Sequence, residues 1–253
     1  GGFVFFGGVK RIASFTEKVV PLMAGLYILI CFIIIIINYA NIIKAFEAIF
    51  VNAFSAKSIL GGFLGMGVKK AIRYGVARGL FSNEAGMGST PHAHAIAKVK
   101  NPVEQGNVAL ITVFIDTFIV LTLTALVILT SNIGDGTLTG ITLTQRAFEN
   151  ALGYLGTIFI AIALFFFAFS TIIGWYFFGE ANIKYLFGKK AINVYRILVM
   201  IAIFIGSTQK VELVWELADL FNGLMVIPNL IALIVLYKLV VNTSSEYDKL
   251  HNL

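Results

Sequence analysis

The sequence predicts an all-α, polytopic membrane protein, and three observations predict it. Of 253 residues, 58% are hydrophobic and 13% charged, about half the roughly 25% charge of an ordinary soluble domain. Mean hydropathy is +0.91. The apolar residues also fall in continuous runs of spanning length, not in the roughly ten-residue alternating segments of a transmembrane β-barrel. At about 20 residues per span plus loops, the chain has room for roughly six spans. Soluble globular, disordered and collagen-like classes are excluded by this composition, and a single cysteine, Cys31, excludes a disulfide framework. The net charge of +6 reads as loop lysines and arginines that set topology, not as a nucleic-acid surface.

The runs justify the elements in order. Residues 19–39 form the first, with Ile33 to Ile37 at its heart. Residues 59–80 form a second that is less apolar and rich in glycine. The third is 108–130. The fourth, 152–178, carries Phe165, Phe166, Phe167 and Phe169. A short fifth covers 192–207. The last, 213–241, contains Pro228, where a kink is expected because proline removes a helical hydrogen bond. The opening GGFVFFGG is apolar and starts at Gly1, so the chain is expected to begin inside a helix.

Lys10, Arg11 and Lys18 precede the first span. Alternation then puts eleven lysines and arginines on their side and four on the other, with Lys69, Lys70, Arg73 and Arg78 unassigned. The positive-inside rule therefore predicts both ends at the cytoplasmic face of a plasma membrane, an extracytoplasmic loop at 131–150 that could hold a short helix, and a cytoplasmic tail at 242–253.

Three places depart from lipid-facing composition. The first is RGLFSNEAGMGSTP, from Arg78 to Pro91. Its glycines permit non-helical backbone, and Ser82, Asn83, Glu84, Ser89 and Thr90 belong in hydrocarbon only where they line a cavity. A plain loop after the span, with Asn83 or Ser89 capping the next helix, reads equally well from residue types. Gly61 to Gly65 offers the same backbone freedom, so the position of an unwound midplane stays open. The second is FAFSTIIGWYFFGE, from Phe167 to Glu180. Phe167, Thr171 and Trp175 share one helix face. Ser170 and Thr171 offer hard oxygen ligands, although such hydroxyls more often bond back to their own helix. The third is a set of acids. Asp116 stands inside the third run, and either an arginine such as Arg73 or Arg78 or an ion would balance it. Glu216 and Asp219 open the last run, with Trp215 as a membrane-belt residue.

His92 and His94 form an H-x-H pair without further ligands at metal spacing, so a loop pair is expected and no metal site. No phosphate-binding loop, nucleophile elbow or zinc-protease helix occurs. An enzyme is not expected.

GLFSNEAGMGSTPHAHA closely resembles the signature of the sodium:alanine (alanine or glycine:cation) symporter family. GGVKRIASFTEKVVPLMA, VFIDTFIVLTLTALVIL, FAFSTIIGWYFFGEANIKYLFG and LVWELADLFNGLMVIPNLIAL are similar to further stretches of that family, in order. The resemblance implies a LeuT-like five-plus-five inverted-repeat fold. Residues 1–253 would be one partial membrane domain, running from the end of the fourth core helix through the tenth. It implies sodium-coupled symport of alanine or glycine by alternating access. Phe81, Asn83, Thr171 and Trp175 would contact substrate, and Ser170 and Thr171 would hold Na⁺, the coupling ion, with no other cofactor. Glu84 would order the signature through hydrogen bonds or Arg78. The implied partner is the N-terminal half of the carrier, which this chain lacks. Proton coupling through Asp116 or Glu84, and an assembly subunit without transport of its own, are the alternatives.

Overall fold

The computed structural model describes residues 8–54, 65–133 and 138–251. Among them every regular element is a helix. They run α1 (Gly8–Ile37), a 3₁₀ turn (Tyr39–Asn41), α2 (Ile42–Phe54), α3 (Gly65–Asn83), α4 (Pro91–His94), α5 (Pro102–Phe114), a π-helical turn (Ile115–Val120), α6 (Leu121–Thr130), α7 (Gly140–Leu152), α8 (Tyr154–Phe187), α9 (Ala191–Gly206) and α10 (Val211–His251). The expected chain start, residues 1–7, and the Gly61 to Leu64 part of the first glycine cluster lie outside the described residues.

Among the described residues, four stretches are long and apolar enough to cross a bilayer: Thr16–Ile37, Pro102–Thr130, Tyr154–Phe187 and Val211–His251. The other two expected spans are helices of a different character. α3 carries Lys69, Lys70, Arg73 and Arg78 within 19 residues, too much charge for a hydrocarbon-facing window. α9 has 16 residues, roughly 24 Å at 1.5 Å per residue, short of the roughly 30 Å hydrocarbon core.

Local sequence sets the helix ends. Asn101 caps α5 by accepting a hydrogen bond from the Val103 N–H at 2.9 Å, with Pro102 in the first turn, a position where its missing N–H costs nothing. α8 stops at Gly188, whose φ of 76° and N–H bond to the Lys184 carbonyl at 3.0 Å make a left-handed glycine cap. α10 is continuous through Pro228. It also continues past the last apolar run to His251, because no glycine or proline stands between Val241 and that residue. The expected tail is thus helical over 242–251.

The chain divides into two compact units, Phe3–Gly75 with Thr117–Gly174, and Val76–Asp116 with Trp175–Leu253. The first has a core built from Tyr27, Cys31 and Ile34 of α1, Leu126 and Val127 of α6, Ala147 and Phe148 of α7, and Ile160 and Ala163 of α8. Tyr27 is its centre. Its ring stacks on Phe148 at 6.0 Å and meets Phe167 edge-on at 5.4 Å. Its hydroxyl lies 2.8 Å from Thr124 Oγ1. Thr124 spends its own proton on the Val120 carbonyl at 2.7 Å, so the phenol donates. Asn41 and Asn150 donate to the Thr130 and Ser131 carbonyls at 2.9 and 3.1 Å, satisfying carbonyls at the end of α6 that have no helical donor. The helix allowed for in the 131–150 loop is α7, and its Ala147 and Phe148 are fully buried.

In the second unit, Tyr176 of α8 is 2% exposed. Its hydroxyl donates to Glu180 and accepts from Arg196 Nε of α9 at 2.9 Å. Arg196 also pairs with Glu180 at 3.6 Å. This ties α8 to α9 through a compensated pair, the form in which charge is tolerated at low exposure.

Candidate functional site

The signature segment lies wholly in the second unit and is a helix break. α3 ends at Asn83, whose Oδ1 accepts the Ala85 N–H at 3.0 Å. Three of the next five residues have left-handed backbone: Glu84 at φ 55°, Gly86 at 85° and Gly88 at 84°. Glycine adopts this conformation without cost, whereas Glu84 requires its surroundings to hold it. They do. The Met87 N–H and the Thr90 hydroxyl both donate to the Glu84 carbonyl, at 3.2 and 3.5 Å, and Met87 and Ser89 are 1% exposed. Burial raises the Glu84 carboxyl above its ordinary pKa.

Three helices of the same unit fasten this segment. Asn229 of α10, next to Pro228, donates its amide to the Gly86 carbonyl at 2.8 Å. The space a Cβ would take at Gly88 already holds the Asn229 side chain, 3.1–3.2 Å away. Asn182 of α8 donates to His92 Nε2 at 3.0 Å, and His92 Nδ1 lies 2.9 Å from the Ser89 carbonyl. A neutral ring protonated at Nδ1 satisfies both contacts. His94 Nδ1 accepts from Gln105 of α5 at 2.6 Å. The histidine pair is therefore a pair of struts, and among the described residues no His, Cys, Asp or Glu cluster could hold a metal. Beside the break is a mostly apolar cavity of about 830 Å³, lined by Asn83, Glu84, Gly86, Gly88 and Asn229 along with apolar residues such as Leu110.

The residues proposed from sequence take these places. Asn83 lines the cavity. Phe81 packs edge-on against Trp215 of α10 at 5.3 Å. Ser170 and Thr171 lie on the first unit's part of α8, and Trp175 on the second unit's part. The Ser170 hydroxyl donates to the Phe167 carbonyl at 3.0 Å, the ordinary back-bond of a hydroxyl in an apolar helix. Thr171 is exposed. Trp175 is half-buried against Phe178, ring centres 5.9 Å apart.

Arg78, one of the alternatives offered from sequence for Asp116 and for Glu84, is engaged by a different acid. It pairs with Asp219 at 2.5 Å, and its guanidinium lies over the Trp215 ring, 3.8 Å from the centroid. A planar cation between a carboxylate and an indole face gains from both. Trp215 is thereby a stacking partner for Arg78 and Phe81 of α3. The partner of Asp116 is Ser82, whose hydroxyl reaches both carboxylate oxygens, at 3.0 and 2.8 Å. Sequence reasoning named Ser82 as a polar residue of the signature without pairing it to Asp116, and passed over Asn229. The signal for Ser82 was present in a single intramembrane acid without a cation at helical spacing. For Asn229 no local signal exists.

Comparison with known proteins agrees with this picture. Residues 1–252 match the sodium:alanine symporter family. The chain is 42% identical over 97% of its length to an uncharacterized transporter of Haemophilus influenzae, covering 54% of that protein. It is 41% identical over 98% of its length to the sodium/alanine symporter AgcS of Methanococcus maripaludis, covering 54% of it. It is 40% identical over 98% of its length to the amino-acid carrier protein AlsT of Bacillus subtilis, covering 52% of it. The chain thus spans about half the length of the curated relatives it matches. With apolar helices of spanning length, a glycine-broken signature segment and this match along its whole extent, the chain belongs to the sodium:alanine symporter family, whose members are membrane transporters and not enzymes.

Proposed function

We propose that the carrier to which this sequence contributes moves a small neutral amino acid, alanine or glycine, into the cell together with Na⁺ by alternating access. The observation that carries this reading is the helix break at 84–90 in a chain of the sodium:alanine symporter family. Broken backbone frees N–H and C=O groups that can hold the two charged ends of an amino acid, where an intact helix has none to offer. In this reading Asn83 and Phe81 face the substrate from the signature side, Thr171 and Trp175 face it from α8, and Ser170 and Thr171 supply oxygens to Na⁺. The whole adopts a LeuT-like inverted-repeat fold in which the rest of the carrier forms the facing wall. One Na⁺ entering a negative cell releases about 2.3 kcal/mol per 100 mV before its concentration gradient counts. Coupling arises because the ion and the amino acid order the same broken helices, so each raises the affinity for the other by the same factor.

The test is uptake of radiolabelled alanine by the full-length carrier in proteoliposomes. Inward Na⁺ should drive accumulation, and K⁺ or choline in its place should abolish it. Thr171→Ala and Trp175→Ala should weaken alanine binding; unchanged binding in both would indicate a helix-packing role instead. Uptake that follows a proton gradient and ignores Na⁺ would sink the sodium reading.

A further inference from the structure

We propose that His92 is an acid-sensitive latch: as a neutral ring it ties the signature segment to α8, and protonation opens that tie, so the carrier slows as the pH at this face falls. The slowing rests on the transport reading above; the opening of the latch does not.

The hydrogen bonds of this one ring fix its protonation state. His92 Nδ1 lies 2.9 Å from the Ser89 carbonyl oxygen, which only accepts, so Nδ1 carries a proton in either charge state. Nε2 faces the Asn182 amide nitrogen at 3.0 Å. That nitrogen also donates to the Phe178 carbonyl, one turn back on α8, at 2.9 Å. This second bond decides which way the amide points, because a turned amide would set its oxygen against the Phe178 oxygen. The nitrogen is therefore a donor toward the ring, and Nε2 must present a lone pair. A proton on Nε2 sets two donors against each other, and no turn of the amide keeps both of its bonds.

Imidazole is the side chain that ordinarily changes charge between about pH 5 and 8. Among the described residues no carboxylate pairs with His92 to offset the lost bond. Glu180 of α8 is held by Tyr176 and Arg196. Glu84 of the signature is bonded by Ser89 and Thr90. Glu104 of α5 pairs with neither histidine, and α10 meets the segment with the neutral Asn229. The cations are Lys184 of α8 and Lys98 and Lys100 after α4, which share the sign of a charged ring. The tie is thus complete while the ring is neutral and is lost as pH falls.

His94 differs. Among the described residues Gln105 makes no second hydrogen bond, so its amide can turn its oxygen toward a charged ring. The tie from Asn229 to the Gly86 carbonyl contains no titratable group. Of the ties to α5, α8 and α10, the one to α8 answers to protons. Asn182 stands two turns beyond Trp175 on α8, so opening the latch frees the signature from the helix that carries Trp175.

The experiment uses the full-length carrier in nanodiscs. Hydrogen–deuterium exchange of residues 84–94, corrected for the chemical effect of pH, is read between about pH 8 and about pH 5.5, alongside alanine uptake in proteoliposomes. Wild type should exchange about three- to tenfold faster at the acid end, the loss of about one hydrogen bond, and uptake should fall in parallel. His92→Gln keeps an acceptor for Asn182 and takes no charge, so the acid step should disappear. Asn182→Asp sets an anion against the ring, so acid should now protect the segment and the pH effect should change sign. Should His92→Gln fail to fold, Asn182→Asp decides alone. The latch is overturned by wild-type exchange that is flat across this range, by an acid step that persists in His92→Gln, or by one that vanishes in Glu84→Gln, where Glu84 would be the sensor. Uptake that holds constant while the segment opens overturns the control of transport. A carrier whose segment opens in acid but which moves no alanine at any pH supports the latch and sinks the transport reading.

Discussion

Gly86 and Gly88 have the same backbone sign and different surroundings, which makes them a controlled pair. Both lie near φ 85°, where an L side chain costs roughly 1–2 kcal/mol. A Cβ on Gly86 meets nothing within 4 Å, whereas one on Gly88 meets Asn229 at 3.1–3.2 Å. Gly86→Ala should therefore lower stability by the conformational cost alone. Gly88→Ala should lower it further, by about 1 kcal/mol, as the asparagine is displaced. Thermal unfolding of the detergent-solubilised carrier, followed by tryptophan fluorescence, checks this; equal melting of the two would show that the Asn229 contact contributes nothing. That these glycines permit non-helical backbone was legible in the sequence, although a plain loop and an unwound helix read equally well there. That Gly88 is also a close-approach glycine was not, because its neighbour stands on a helix that arrives 141 residues later.

At the scale of the element, α3 is held to α10 by one arginine in two roles. Arg78 reaches the Asp219 carboxylate and covers the Trp215 face, and Phe81 closes on the edge of the same indole. Lysine keeps the charge and loses the planar stack. Arg78→Lys should thus cost about 0.5–1 kcal/mol of stability through the lost cation–π contact. In a Trp215→Leu background that difference should vanish. A double-mutant cycle on unfolding free energy measures it, and an unchanged Arg78→Lys penalty without the indole would refute the stacking role. Composition alone showed α3 to be the least membrane-like of the six runs. Which acid its arginine meets depended on long-range packing: the sequence offered Arg78 only as one alternative for Asp116 and for Glu84, and the structure pairs it with Asp219.

At the scale of the molecule, the outward-facing residues decide behaviour in solution. Phe165, Ile162 and Leu164 of α8 are exposed, as are Leu230, Ile231, Ile234 and Val235 of α10, and the stretch Val211–His251 has none of its most apolar window buried. Helices so apolar on their outer faces are stable in lipid and not in water. The carrier is expected to remain in the membrane pellet through an alkaline carbonate wash and to need detergent for extraction. Release by carbonate would contradict a spanning arrangement. α10 has 41 residues, roughly 60 Å of helix, so about half of it lies beyond a hydrocarbon core of roughly 30 Å.

The sequence by itself determined the helical membrane class, the cores of the apolar runs and the family. All of these follow from local composition, from the length a bilayer demands, and from what glycine and proline permit in the backbone. The helices outrun those runs, by nine residues at Phe187 and ten at His251, and the end of α3 at Asn83 came from the structure. Only the tertiary structure decided the partners: Ser82 for Asp116, Asp219 and Trp215 for Arg78, Asn229 for the Gly86 carbonyl, Asn182 and Gln105 for the two histidines. A hydroxyl, an amide or a guanidinium has many chemically equal candidates along a chain. Packing brings one of them within 3 Å, and that choice is made by contacts far apart in sequence.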